Sequence, residues 1–388
     1  MAFISDIKVV EFSHMVMGPS VGVVLADLGA DVIKVEPIDG DKTRNLLGSG
    51  AGFFAMFNRN KRSICVDLKN PAGRQSVMRI IAGADVVIEN FRAGAVDKLG
   101  LGYEDCRQVN PDIIYQSSKG FLQGPYENRA ALDEVAQMMG GLAYMTGPAG
   151  RPLRAGSSVV DITGGLFGVI AILGALIDRE KTGRGTHLTS ALYETTAFLV
   201  GQHIAQYAVS GTPAAPMPER ISAWAIYDVF QTADDQVFVG VVTDGQWTAF
   251  CAEFGFDEWS GDESLRRNRD RVLRRDGILP VLRERFSAMP SAELLNRLER
   301  AGLAFAPIRR PEDLVDDPHL SADGLYELTL PGGEKTVSLP KLPLSVDGER
   351  LALHRDLPEC GAHTEEVLSE AGLSGVEIEE LRSAGIIP

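Results

Sequence analysis

Cysteine is scarce in this chain: four in 388 residues, Cys65, Cys106, Cys251 and Cys360, with no C-x-x-C pair. That pattern excludes a disulfide framework. His363 follows Cys360 closely, but no second ligand pair completes a zinc site, so the four read as reduced cytosolic thiols and no metal is expected. Positive charge is also short, with 38 Lys and Arg against 53 Asp and Glu and a net charge of −15, which opposes binding to nucleic acid or an anionic membrane. A local basic pocket for an anion stays compatible with that balance. No internal repeat or low-complexity tract is present. Charges near the N-terminus interrupt what a signal peptide would need as its apolar region. The least polar stretch, whose residues 162–177 carry no charge, is short for a bilayer span and suits a buried helix. A cytoplasmic protein without a membrane segment is expected.

What is present fits a folded enzyme. The chain exceeds the usual size of one core, and 45% apolar with 23% charged residues is ordinary for a globular protein, so two domains are the natural expectation. The first third alternates β-branched runs with helical segments, the pattern of a parallel sheet covered by helices. Strands are predicted at 7–12, 31–36, 63–67, 85–88 and 113–117, and helices at 19–28 and 72–82. A helix is predicted from Ser190 to about Ser210, followed by a linker with three prolines between Gly211 and Pro218. Strands at 227–232 and 237–242 and helices at 245–254, 271–289 and 291–301 then define a second α/β domain. Gly332 and Gly333 mark another linker, and terminal helices are predicted at 364–371 and 377–384. The boundaries are a large domain over 1–200, a linker over 201–222, a small domain over 223–330, and a linker with C-terminal helices over 331–388.

The βαβ opening suggests a dinucleotide fold, yet the phosphate fingerprint is missing. Gly18-Pro-Ser-Val-Gly22 does not supply G-x-G-x-x-G, and Pro19 fixes the turn where a glycine would admit a pyrophosphate. A nicotinamide dehydrogenase is therefore a weak competitor.

Asp161 opens the least polar stretch of the sequence. A carboxylate there is either a helix cap, accepting backbone N–H bonds, or a desolvated reactive group, and the two are compatible. His14, a lone histidine after a strand, reads as a packing or positioning residue. The charge run 266–275 reads as a solvated helix face.

Several segments together resemble the class III CoA-transferase family, also called CaiB/BaiF, which includes formyl-CoA transferase and α-methylacyl-CoA racemase. They are Val9-Val-Glu-Phe-Ser-His14 leading to Gly18-Pro19, Leu25 to Pro37, Asn60 to Lys69, Glu89 to Gly94, Lys98 to Gly102, Leu132 to Gly141, Lys181 to Gly185 and Gly361 to Leu368. Their order along nearly the whole chain is the specific feature. The resemblance implies a large Rossmann-like domain with a parallel sheet, a smaller α/β domain, a C-terminal segment returning to the large domain, and an interlocked homodimer. It makes Asp161 the nucleophile, with backbone N–H groups among Thr163, Gly164 and Gly165 as candidate oxyanion donors. From the matching motifs, Lys69, Arg92 and Lys98 are assigned to CoA phosphates, and His14, Met15, Val16, Asn90 and Phe91 to the nucleotide. Arg44 and Arg62 are weaker candidates. The substrates implied are an acyl-CoA and a carboxylic acid, with no permanently bound cofactor.

The same chemistry suits a carboxylate. Attack by Asp161 on a thioester would give a mixed anhydride and CoA thiolate, and return of the thiolate would give an enzyme CoA thioester that the acceptor acid resolves. The family's racemases carry a histidine where this chain has Leu132, which disfavours proton transfer on two faces. Formyl-CoA transferases carry a tyrosine there and a glycine run as a lid, whereas 216–224 contains no glycine. Arg129, Arg154 and Arg220 are candidates for the far carboxylate of a dicarboxylic acid. A CoA-transferase leads, with a CoA-ester racemase or isomerase and a non-catalytic acyl-CoA-binding protein as the alternatives.

Overall fold

Short β-branched runs, buried on both faces, build the sheet around which the chain is organised. In the computed structural model, which describes residues 3–220 and 222–388, β1 (Lys8–Phe12), β2 (Asp31–Glu36), β3 (Lys61–Cys65), β4 (Val86–Glu89), β5 (Ile114–Lys119) and β6 (Thr186–Ala191) form one sheet. The pairings are parallel and the order is β3-β2-β1-β4-β5-β6, that of a doubly wound dinucleotide-type fold. Ile221, inside the glycine-free stretch 216–224, lies outside the described residues, as do the first two.

The helices that cover this sheet position the site. They are α1 (Met17–Asp27), α2 (Pro71–Ala82), α3 (Ala95–Lys98), α4 (Asp133–Met139), α5 (Val159–Thr182), α6 (Leu192–Leu199) and α7 (Gly201–Ser210). Asn70 caps α2 by accepting the Ala72 N–H at 2.9 Å, with Pro71 at the first helical position. Two details differ from expectation between 160 and 210. The helix predicted from Ser190 to about Ser210 is present as α6 and α7 and starts two residues later, because Thr186–Ala191 is a strand whose alternation of exposed and half-buried residues gives no apolar run to read. The predicted buried helix is instead 24 residues long and buried on one face, through Val160, Gly164, Gly165, Gly168, Val169, Ile172 and Leu176. Its opposite face exposes Leu166, Ile170 and Ile177. With 18 successive residues of mean hydropathy 2.1, α5 is long and apolar enough to cross a membrane on those two counts, and a helix packed on a core passes the same test.

The chain divides into two compact units, one of residues up to 219 together with 318–388, the other of residues 220–317. The second has an antiparallel sheet of β7 (Ile226–Gln231), β8 (Gln236–Val241) and β9 (Ala304–Pro307). It packs on α8 (Asp244–Phe254), α9 (Asn268–Leu273), α10 (Arg275–Ser287) and α11 (Ser291–Arg300) through Phe230, Phe250, Phe254 and Phe286. Within the charge run, Arg271 departs from the solvated-face reading: it is buried, pairs with Asp244 and stacks over Trp247.

The final segment belongs to the first unit. Gly332 and Gly333 are the turn of a hairpin, β10 (Leu325–Thr329) with β11 (Thr336–Pro340), rather than a linker, both having positive φ. A two-residue pair, β12 (Ser345–Val346) and β13 (Glu349–Arg350), precedes α12 (Thr364–Glu370) and α13 (Gly375–Ser383). Leu368, Leu373, Ile378 and Leu381 place these helices in the same core as β1–β5.

Candidate active site

In a parallel sheet of this order the chain leaves β1 and β4 toward opposite faces, opening a crevice at their C-terminal ends. His14, Met15 and Val16 follow β1, and Asn90, Phe91 and Arg92 follow β4. Two hydrogen bonds join the loops: the His14 N–H donates to Asn90 Oδ1 at 3.0 Å, and Asn90 Nδ2 donates to the His14 carbonyl at 2.7 Å. The His14 ring lies 5.4 Å from Phe91. Met15 has φ of 63°, an unusual value for a non-glycine residue, and its N–H is held by Thr43 Oγ1 at 3.0 Å.

Buried charges brace this loop from behind. Lys34 Nζ donates to the Ser13 carbonyl at 2.7 Å and pairs with Asp41 at 2.9 Å, while Asp41 Oδ1 accepts from the Thr43 N–H and hydroxyl. Burial pulls the Lys34 pKa down, but Glu11, Asp41 and Glu36 outweigh it and hold the ammonium above its ordinary value. Lys61 pairs with Glu11 at 2.8 Å, and there burial wins, pushing its pKa down to about 8.

Asp161 is brought to the same crevice by close packing between α1 and α5. A Cβ on Gly164 would lie 2.8 Å from Met17 Cε, one on Gly165 would lie 2.8 Å from Ser20 Cβ, and one on Gly168 would lie 3.2 Å from Val21. Contacts that advance together along both helices make them run in parallel. Asp161, about one turn before Gly164, is therefore level with the residues that precede Met17.

Asp161 is the third residue of its helix, with Ser158 at the N-cap position. The cap acceptor is Asp133 on α4, whose Oδ2 accepts the N–H groups of Val160 at 3.0 Å and Asp161 at 3.2 Å. Asp133 is 6% exposed, accepts from Gln137 Nε2 at 2.5 Å and pairs with Arg154 at 3.3 Å, while Gln137 Oε1 takes the Ala155 N–H at 2.8 Å. The Asp161 carboxylate itself has no hydrogen-bond or ion-pair partner among the described residues. Its pKa is pushed up to about 7, chiefly by burial, then by the like charge of Asp133, with Arg154 opposing. A half-desolvated carboxylate without a partner is a stronger nucleophile than a solvated one and titrates in the working range of an enzyme.

The oxyanion donors expected at Thr163, Gly164 and Gly165 are not available. Val159 N–H bonds Ser157, the next two amides bond Asp133, and Ile162 N–H bonds Ser158, so the helix takes its own amides from there onward. The glycines serve helix packing instead.

Lys69, Arg92 and Lys98 are exposed and engaged in no ion pair among the described residues. Arg92 and Lys98 flank the β4 loop. Lys69 follows β3, three strand positions from β4 or about 14 Å across the sheet. Arg44 and Arg62 are structural. Arg44 makes a bidentate pair with Glu36 at 2.6 and 2.7 Å and donates to the Pro358 carbonyl, and Arg62, 2% exposed, is shared among Asp31, Glu366 and Glu370. Of the three candidate arginines only Arg154 acts on Asp161. Arg129 is exposed over the Tyr126 ring at 5.0 Å, and Arg220 falls in the other unit. Leu132 is 66% exposed and supplies no proton-transfer group. Sequence reasoning missed Asp133, Gln137 and Thr43. An acidic residue in the first turn of α4 was the one visible signal, and it reads equally well as that helix's own dipole partner.

Residues 4–364 match the model of CoA-transferase family III. The chain is 35% identical over 385 residues to the succinate–glutarate CoA-transferase of Agrobacterium fabrum, covering 95% of each chain. It is 31% identical over 393 residues to the human succinyl-CoA:glutarate CoA-transferase, covering 99% of this chain and 90% of the human one. It is also 30% identical over 388 residues to the succinyl-CoA:mesaconate CoA-transferase of Haloarcula marismortui, covering 96% and 97%. A crystal structure of a CaiB/BaiF family protein from Brucella suis superposes with a TM-score of 0.84 at 35% identity, covering 95% of this chain and 99% of that one. With the crevice, the carboxylate and the whole-chain match in agreement, this chain belongs to CoA-transferase family III and is a CoA-transferase.

Proposed function

We propose that the protein moves CoA from succinyl-CoA or a similar acyl-CoA to a dicarboxylic acid, through an acyl anhydride and a CoA thioester on Asp161. The observation that carries this reading is the unpartnered, half-desolvated Asp161 carboxylate, level with the His14–Val16 loop. Asp161 attacks the thioester carbonyl and CoA leaves as the thiolate. The thiolate then attacks the aspartyl carbonyl and releases the donor acid. The acceptor carboxylate takes the aspartyl carbonyl in turn, and the thiolate completes the exchange on the new acyl group, which frees Asp161. Lys69, Arg92 and Lys98, free of ion pairs, suit the CoA phosphates. The dicarboxylate reading rests on the succinate, glutarate and mesaconate enzymes among the relatives, with Arg154 the cation nearest the reacting group.

The same reading assigns the protein to the cytoplasm and to a homodimer. Support for the dimer comes from the outer face of α5–α7. Ile170, Phe198, Ile204 and Val209 are 63%, 71%, 59% and 89% exposed, and no residue of α7 is buried in the single chain. Such a face needs a cover, and a second copy is the one proposed.

Incubation with succinyl-CoA alone followed by hydroxylamine should convert Asp161 to a hydroxamate, while folded Asp161→Asn should yield none and transfer no CoA. Full transfer by Asp161→Asn would end the proposal. Sedimentation of the purified chain at twice its monomer mass is the expected result for the dimer.

A further inference from the structure

Cys65 and Cys360, 295 positions apart in the sequence, have their sulfurs 3.0 Å apart. The contact is built from both sides. Cys65 ends β3, is 1% exposed, and gives its N–H to Thr364 Oγ1 at 3.0 Å. Cys360 is exposed, in the loop that precedes α12. That loop is pinned to β3 by the Gly361 N–H on Ser63 Oγ at 2.9 Å and the His363 N–H on the Ser63 carbonyl at 2.9 Å.

Two glycines make room for the sulfurs. A Cβ on Gly361, where φ is 71°, would come within 3.1 Å of Cys65 Sγ, and a Cβ on Gly40, where φ is 80°, within 2.9 Å of Cys360 Sγ. Cys106 and Cys251 are buried, with no second thiol against either. Burial, then the contact with Cys360, holds the Cys65 thiol far above its ordinary pKa. Cys65 therefore keeps its proton, within hydrogen-bond reach of the Cys360 sulfur.

We propose that Cys65 and Cys360 form a thiol-modification site, a dithiol that a peroxide converts to an intrachain disulfide. Cys360 meets the oxidant, because solvent reaches it and does not reach Cys65. Its thiolate attacks one peroxide oxygen: an S–O bond forms, the O–O bond breaks, and the departing hydroxide takes the proton that the thiol released, giving water and a sulfenic acid. The Cys65 sulfur then attacks the Cys360 sulfur. An S–S bond forms, the S–O bond breaks, and the second hydroxide takes the Cys65 proton. Each sulfur is oxidised by one electron and one peroxide is reduced to two waters. Closure from 3.0 Å to a bonded separation near 2 Å asks for about 1 Å of movement, within reach of the exposed loop residue. The bridge would tie β3 to the C-terminal segment, independently of which acids the enzyme exchanges.

The test is peroxide treatment of the full-length protein, alkylation of the remaining thiols in denaturant, and peptide mapping without reductant. Two of the four thiols should be lost, with one new species that joins the Cys65 and Cys360 peptides at about 2 Da below their reduced sum and is reversed by dithiothreitol. In Cys65→Ser, Cys360 should stop at a sulfenic acid that dimedone captures. In Cys360→Ser, a change at an exposed position, Cys65 should stay reduced. Oxidation of wild-type Cys360 to a sulfinic or sulfonic acid without the bridge would overturn the proposal, as would chains cross-linked to one another through Cys360, or four thiols intact.

Discussion

Asp133 Oδ2 accepts the N–H of Asp161 at 3.2 Å, so one acidic residue holds the backbone of the other while repelling its charge. The two effects separate by substitution. Asp133→Asn keeps a side-chain oxygen for the N–H groups and removes the like charge, so the Asp161 pKa should fall. Arg154→Gln removes the opposing cation and should raise it. The acid limb of kcat/KM should move to lower pH in the first variant and to higher pH in the second. Asp133→Ala should also lose the cap, at about 1 kcal/mol of stability.

The wild-type profile has a defined sign. Asp161 attacks as the carboxylate, and with its pKa pushed up to about 7, kcat/KM should fall tenfold per pH unit below roughly that value. Stability runs the other way. The unfolded carboxyl ionises near pH 4 and the folded one near 7, so this group's contribution is fully present below about pH 4 and is lost as pH rises through 7. Asp161→Asn should melt above wild type by a margin that grows from pH 4 to 7 and then levels, on the order of 1–3 kcal/mol after allowing for partial exposure. Melting curves at pH 5 and 8 check it.

The sheet was legible because its strands are buried runs: β2 falls where predicted, and β1, β4 and β5 within two residues. β6 was not, since a polar edge strand with only its last two residues buried reads as loop. At the site, Asp161 and the His14 and Asn90 loops were readable from motif and switch-point logic. Arg44 and Arg62 were misjudged because sequence cannot show that Glu36 and Asp31 already hold them. Asp133 was missed because its partners lie 27 and 28 residues away. The distance between Cys65 and Cys360 in sequence concealed a contact that only the return of the C-terminal segment creates.

Exposed lysines and arginines free of ion pairs should behave differently from paired ones. Lys69→Ala, Arg92→Ala and Lys98→Ala should each raise KM for the acyl-CoA roughly 2- to 10-fold with little change in kcat, an effect that weakens at high salt. Arg62→Ala should leave that KM unchanged and cost roughly 1–3 kcal/mol of stability, since it removes a buried guanidinium and its charge-assisted hydrogen bonds to the partly exposed Asp31, Glu366 and Glu370. Steady-state kinetics and urea unfolding distinguish the two groups.

The level of Asp161 is set by a glycine. A Cβ at Gly165 would lie 2.8 Å from Ser20 Cβ and 2.9 Å from the Met17 carbonyl, and the second of these is backbone that cannot turn aside. Gly165→Ala must therefore push α5 away from α1, at about 1–3 kcal/mol. Because α1 starts directly after the His14–Val16 loop, the same shift displaces Asp161 from the crevice, so kcat/KM should fall along with stability. Gly277, in α10, has open space around it, and Gly277→Ala should be neutral or stabilising by about 0.5–1 kcal/mol. Loss of stability in Gly165→Ala with kcat/KM unchanged would mean that packing between α1 and α5 does not set the position of Asp161.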